Sequence, residues 1–320
     1  MALTTASPPS SSEDTFRHEA LLYADRTEFL RGALAFIQGG LAGDEPMLVA
    51  VPPDKIDMLR AELGADADRV RFEDMTTVGR NPARIISVWR DFVTEHCMPD
   101  RRVRGIGEPI WAERSPAELV ECERHEALLN LAFADLPAWS LLCPYDVTAL
   151  APEVIDRSCR HHPLVRGDGD HRASDRYAGA PAALAGLEQP LPEPPPAREE
   201  LAFTGADLSA VRRAVARMAE RAGLTGDRST ELVLAVDELA TNSVRHGGGG
   251  GVLLLWCEGG ALVCEVRDRG HIADPLVGRR RPLRDQPDGR GLWLVNELCD
   301  LVQLRSSQAG TVVRVRVAAG

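Results

Sequence analysis

Glu238, Asn242 and His246 stand at four-residue steps in the stretch ELATNSVRHGGGGG. On a helix these positions share one edge, drifting slowly around the axis. Leu234, Val236, Leu239 and Val244 are the apolar neighbours expected on its buried side. An asparagine amide oxygen suits Mg²⁺, a hard cation that prefers oxygen ligands. A carboxylate one turn earlier can take a proton. The glycines that follow let the backbone approach a ligand closely. By itself an E-x-x-x-N pair is common on solvated helix faces, so other stretches must raise it to a site. Asp268 and Gly270 close a predicted strand in VRDRG. That carboxylate can accept from an amino group such as that of adenine, and the glycine lets a base lie against the main chain. Gly289 and Gly291 open a predicted helix in DGRGLWLVNELCD. Backbone N–H groups at a helix start attract anions, and Arg290 adds a charge suited to phosphate oxygens. Thr311, after Gly310, brings a hydroxyl toward the base.

The elements that must position these residues follow from periodicity. Helices are predicted over 208–222 and 228–246, then a hairpin turning at Gly259 and Gly260. A helix near Gly291 and the strands DLVQLRS and TVVRVRV complete an α+β sandwich with a mainly antiparallel or mixed sheet. Upstream, residues 166–199 are rich in Gly, Ala, Pro and charge, and PLPEPPP should be a stiff extended spacer. That linker separates a domain over 200–320 from one over 16–165, with residues 1–15 as a disordered lead. In 16–165 strands alternate with helices: EALLYA, helix 26–41, PMLVAVP, helix 53–63, RVRFEDM, helix 82–96, VRGIGEP, helix 115–133, WSLLCPY, and a helix after Pro152. This order predicts an α/β fold of parallel βαβ units.

Composition excludes several classes. A net charge of -11 without a basic stripe argues against nucleic acid as a partner. No apolar run approaches the roughly 20 residues that span a bilayer, and the N-terminus lacks the features of a signal peptide. The seven cysteines are scattered without CxxC spacing, as reduced thiols would be. A cytoplasmic protein acting on protein and nucleotide partners is the expectation.

The order E-x-x-x-N on a helix, hairpin, D-x-G, variable loop, then G-x-G-L resembles the GHKL (Bergerat) ATP-binding superfamily of histidine kinases, gyrase and anti-sigma kinases. The resemblance runs from about Glu200 to Val317. It implies ATP and Mg²⁺ as cofactors, with Asn242 as the metal ligand and Glu238 as general base or positioning group. It implies that Asp268 reads the adenine amino group, and that Gly289 and Gly291 hinge a lid over the phosphates. His246, Gly270, Arg290 and Thr311 join the expected nucleotide set. The wording LAVDELATNSVRHG is most similar to RsbW-type anti-sigma serine/threonine kinases. Such proteins bind a sigma factor and phosphorylate a STAS-fold antagonist, and the likeness suggests a homodimer. Ile272 replaces the second glycine of the usual D-x-G-x-G. Arg279, Arg280 and Arg281 of the lid either approach the γ-phosphate or form a solvated loop; both readings stay open. A nucleotide-dependent sigma-binding switch without catalysis is the alternative. A histidine-kinase-like sensor is a lesser one: RHEALL occurs at 17–22 and 124–129, but the copies fall on a strand and a helix, and the proline-rich spacer replaces the helical hairpin such an enzyme needs.

HEALLYADRTEFLRGALAFIQGGLAGDEPMLVAV and the later GEPIW, ERHEALLN and LLCPYD resemble the MEDS (methanogen/methylotroph sensory) domain over about Phe16 to Val165. That likeness implies a RecA-like parallel sheet, here without a P-loop, since GxxxxGK[ST] is missing. Parallel sheets bind ligands beyond the carboxyl ends of their strands. Asp74, Glu108, Trp111, Cys143, Tyr145 and Asp146 are therefore candidates for a small-molecule or partner crevice. The alternative makes Trp111 and Cys143 core and the acids helix caps. His161 and His162 near Cys159 suggest a metal but lack a fourth ligand, so they read as ordinary helix-end histidines.

Overall fold

The structure of the protein is a computed structural model that describes residues 16–98, 101–167, 170–282 and 289–319. The expected disordered lead, 1–15, and part of the lid, 283–288, lie outside the described residues. The first domain runs β1 (Arg17–Tyr23), α1 (Arg26–Ala42), β2 (Met47–Val51), α2 (Pro53–Leu63), β3 (Arg71–Asp74), α3 (Met75–Val78), α4 (Ile85–His96) and β4 (Val103–Gly107). It continues with α5 (Pro116–Ala132), β5 (Trp139–Asp146), α6 (Pro152–His161), β6 (Leu164–Gly167), β7 (Asp170–Ala173) and α7 (Ala180–Ala185). The sheet order is β3-β2-β4-β5-β1-β6-β7, and only β7 pairs antiparallel. Every residue of β2 is buried, because helices cover both faces of the sheet. One face packs on Trp89, Phe133 and Trp139, the other on Phe29, Ile37 and Leu59. Helix α5 starts where it does because Ser115 and Glu118 form a reciprocal capping box, with Pro116 in the first turn.

The segment read as a spacer, 166–199, carries structure of its own. The β6–β7 hairpin extends the sheet, and Ala183, Leu184 and Leu187 join the first core. The proline stretch lies along the second domain, where Pro192 O accepts from Arg314 at 2.6 Å and Gln189 O from Arg305 at 3.0 Å. An extended chain presents bare carbonyls, and buried guanidinium groups use them.

The second domain comprises β8 (Glu199–Thr204), α8 (Leu208–Arg221), α9 (Gly226–His246), β9 (Gly250–Glu258), β10 (Ala261–Asp268), α10 (Arg290–Leu298), β11 (Leu301–Ser307) and β12 (Gly310–Ala318). Its sheet, β11-β12-β10-β9-β8, is antiparallel throughout. The strand GTVVRVRVA alternates, so Val313, Val315 and Val317 meet the helices while Arg314 pairs with buried Glu265 on the other face. Leu234 departs from expectation: it is 42% exposed. It lies two residues from inward-facing Leu232, roughly 200° around the helix. Among the described residues no helix is long and apolar enough to cross a membrane.

Candidate nucleotide site and sensor crevice

Helix α9 keeps its helical path to His246, then Gly248 and Gly249 turn the chain into β9 with φ of 91° and 95°, a region that favours glycine. Gly247 lies against the end of β10: a Cβ there would come within 2.4 Å of Asp268 Cγ. The glycine run thus serves the approach of α9 to the end of β10. Between these elements and α10 sits a pocket of about 410 Å³ lined by Asn242, His246, Asp268, Gly270, Gly289, Gly291 and Thr311. Leu239, Val266, Ile272, Leu292 and Val313 give it an apolar lining.

Asp268 is held from both sides. Its Oδ2 accepts from Ser243 Oγ at 2.7 Å, and its Oδ1 accepts from Gly270 N at 2.7 Å. Each carboxylate oxygen keeps capacity for another donor. Thr311 Oγ1 donates to Gly270 O at 2.9 Å. Glu238 does not line the pocket itself. It stands at the α9–α10 edge, where a Cβ on Gly291 would lie 2.7 Å from Glu238 Oε2 and 3.1 Å from Asn242 Nδ2. Arg290 opens α10 but is likewise not in the lining. Ser243 was missed by sequence reasoning; its place directly after Asn242 was the available signal. Ile272, in place of the glycine, lines the pocket, and its N–H donates to Ser306 Oγ at 2.8 Å.

The lid arginines divide: none lines the pocket, Arg279 is buried, and Arg280 and Arg281 are exposed as in a solvated loop. From the pocket, residues 271–282 run to the first domain, where Leu276 enters the core beside α4 and α5. Arg279 is buried, with Glu121 of α5 at 3.7 Å. Arg305 lies 2.9 Å and Arg124 3.8 Å from the same carboxylate. These are ion-pair contacts without hydrogen-bond alignment at the Glu121 oxygens. Burial brings Arg279 down to about 10, with Glu121 opposing the shift, so it stays charged. Arg281 pairs with Asp91 at 3.1 Å and lies over Trp293, while Arg280 is exposed. Further bonds join the domains: Asn81 Nδ2 to Asn296 O at 2.9 Å, and Ser87 Oγ to Arg279 O at 3.0 Å. Once buried, the Glu121 carboxylate needs counter-charge, and these guanidinium groups supply it.

In the first domain a cavity of about 540 Å³ opens beyond β1, β4 and β5, lined by Glu108, Trp111 and Asp146 together with Tyr23, Lys55 and Pro53. Three other crevice candidates lie outside it. Asp74 caps α3, accepting from Thr76 N at 2.8 Å. Cys143 and Tyr145 are buried in the core; alternate residues of β5 face its two sides, and these two share the face covered by α5 and α6. Lys55, unforeseen, is the lone lysine of the sequence. It donates to Tyr23 Oη at 2.6 Å and to Glu108 Oε1, which also accepts from Tyr23 Oη at 2.9 Å. Burial raises Glu108 to about 7, against the attraction of Lys55 and the bond from Tyr23. From pH 4.5 to about 7 the folded chain holds a proton that the unfolded chain releases, so stability falls as pH rises through that window. Glu108→Gln should flatten that slope, by no more than about 3 kcal/mol. Urea unfolding of both chains from acidic to neutral pH checks this; parallel curves would show that Glu108 does not titrate there.

Comparison with known proteins accords with both halves. Residues 17–163 match the family model MEDS, the methanogen/methylotroph, DcmR sensory domain, and residues 201–317 match the histidine kinase-like ATPase domain. No curated protein matches. Among solved structures, the RsbU and RsbW domains of Rv1364c from Mycobacterium tuberculosis align at 18% identity and TM-score 0.30, over 40% of this chain and 33% of that one. The Acinetobacter baumannii histidine kinase AdeS aligns at 12% identity and TM-score 0.24, over 38% of this chain and 68% of that one. This chain therefore spans about a third of the first of these structures. The chain joins a MEDS domain, over 17–163, to a histidine kinase-like ATPase domain, over 201–317.

Proposed function

We propose that the second domain binds Mg-ATP and transfers its γ-phosphoryl group to a serine or threonine of a STAS-fold partner, with a sigma factor as its other partner. The observation that carries this reading is the convergence of Asn242, Asp268, Gly289 and Gly291 on one pocket, with Glu238 at its edge. Asp268 accepts from the adenine amino group, Asn242 holds Mg²⁺ beside the phosphates, and the start of α10 faces their charge. Glu238 takes the proton of the attacking hydroxyl. Positioning and charge neutralisation supply most of the rate in such transfers.

The first domain controls this site through the lid. Leu276 and Arg279 anchor the segment between the nucleotide pocket and α10 to α4 and α5. A ligand in the crevice that shifts these helices changes the lid's freedom to close. A second reading, an ATP-gated binder without transfer, is favoured by Arg279 and Arg281 being engaged away from the pocket.

The test is transfer of labelled γ-phosphate from Mg-ATP to STAS-domain proteins of the same genome. Phosphoserine or phosphothreonine on one of them supports the kinase reading. Tight ATP binding with no transfer to any supports the switch. Asp268→Asn should weaken ATP by about 10–100-fold, since a bond to a charged group is worth about 1.5–3 kcal/mol. Equilibrium titration of ATP into the folded variant reads this, and unaltered affinity would remove Asp268 from adenine recognition.

A further inference from the structure

Four side chains of different elements meet inside the first domain. His18 comes from β1, Cys143 from the neighbouring β5, Glu126 from α5, and His162 follows α6. All four are buried, and their ligating atoms lie within 4.8 Å of one another. His18 Nε2 is 3.2 Å from Glu126 Oε2 and 3.4 Å from Cys143 Sγ; His162 Nε2 is 3.3 Å from Glu126 Oε2.

The outer bonds decide which ring nitrogens face inward. Asn130 Nδ2 donates to His161 O at 2.8 Å, which turns its Oδ1 toward His18 Nδ1 at 3.2 Å. His162 Nδ1 is 2.8 Å from Ser158 O, a carbonyl that can only accept. Both rings therefore carry a proton on Nδ1, and each turns its Nε2 to the same carboxylate oxygen. Glu126 Oε1 and the adjacent Tyr145 Oη are buried without a hydrogen-bond partner. Two ring nitrogens, a thiol and a carboxylate that converge in a dry interior, with polar atoms left unpartnered, make a place for a cation. The His18–Glu126, His18–Cys143 and His162–Glu126 distances, 3.2–3.4 Å, suit one: metal–ligand bonds of about 2.0–2.3 Å give tetrahedral edges of about 3.3–3.6 Å.

We propose that His18, Glu126, Cys143 and His162 bind a tetrahedral divalent transition metal of the zinc class. Nitrogen, sulfur and oxygen donors together suit zinc, whereas calcium and magnesium take oxygen alone. A thiolate and a carboxylate balance the two positive charges. Four protein ligands leave no open position, so the ion ties β1, β5, α5 and the end of α6 together. Imidazole N–H groups bonded to outside acceptors are the arrangement that orients metal-bound histidines. The same helix α5 presents Glu121 to the lid, so the ion stiffens the element that holds it.

The test uses the full chain, stripped with chelator and dialysed against Zn²⁺ or Co²⁺, with metal content and absorption measured after excess is removed. The expected result is one ion per chain and, with Co²⁺, intense visible bands plus a near-ultraviolet thiolate charge-transfer band. Cys143→Ser should lose that charge-transfer band. Asn130→Ala keeps all four ligands and should weaken metal binding by about 10–100-fold. It serves where Cys143→Ser does not fold, as judged by circular dichroism. Folded wild-type chain without stoichiometric metal overturns the proposal. So does a cobalt spectrum lacking the charge-transfer band, or metal held by folded Cys143→Ser or Asn130→Ala as tightly as by wild type.

Discussion

Glu238→Ala is expected to slow phosphoryl transfer by about 10²–10⁴-fold, the usual contribution of a positioned general base, while ATP affinity changes by only a few-fold. The split follows from where the carboxylate stands. Glu238 is outside the lining of the pocket and touches the start of α10 near Gly291, one helical turn from Asn242. In the proposed reaction a group at that edge would meet the phosphate end and the incoming hydroxyl, not the base. Asn242→Ala should lose both transfer and the Mg²⁺ dependence of ATP binding, because it lines the pocket and offers the amide oxygen. Single-turnover transfer to a phosphorylatable partner, beside equilibrium ATP titration, separates the two effects. Equal losses of affinity in both variants would mean that Glu238 binds nucleotide rather than acting on the hydroxyl. Wild-type transfer by Glu238→Ala would remove it from the chemistry altogether.

Glu121→Ala is expected to destabilise the chain by about 3–5 kcal/mol, the cost of leaving buried charge without its partner. Arg279 and Arg305 are both buried, and Glu121 is the carboxylate between them. Removing it leaves like charges facing one another. The lid segment should loosen first, because Arg279 loses its buried carboxylate, leaving Leu276, the Ser87 bond to Arg279 O and the Arg281–Asp91 pair to hold it. Trypsin should then cut near Arg279–Arg281 faster than in wild type. Denaturant unfolding combined with the Arg279→Ala and double variants measures the coupling directly. Additive losses in that cycle would show that the two side chains do not act together, and the domain-to-lid coupling would have to run through other contacts. A loosened lid should also alter ATP affinity, which ties this result to the proposed control of the site.

That Asn242, His246, Asp268 and Gly270 share one pocket was foreseeable from the sequence because each sits near the end of one element, within a short motif. Asn242 and His246 are related by helix period alone, and Asp268 and Gly270 by the end of a strand. Local periodicity likewise determined the α/β alternation of the first domain and the sandwich of the second, since burying one face of a helix or sheet is a local requirement. Strand β8 and the β6–β7 hairpin escaped it: they are short, and lie in or beside a stretch whose composition reads as spacer. Three constellations belong to tertiary structure alone. Lys55 meets Tyr23 and Glu108 only because β1, β4 and the start of α2 converge at one end of the sheet. His18 meets Glu126 across 108 residues of chain and Cys143 across 125. His162 therefore looked like a helix-end histidine until strand order put β1 beside β5 under α5. The lid arginines follow the same rule. Their sequence shows charge and an open loop, but which carboxylates Arg279 and Arg281 find depends on how α5 and α4 pack against the second domain. Spacing along the chain sets which face a side chain occupies; which faces meet is set by strand order and by the packing of one domain on the other.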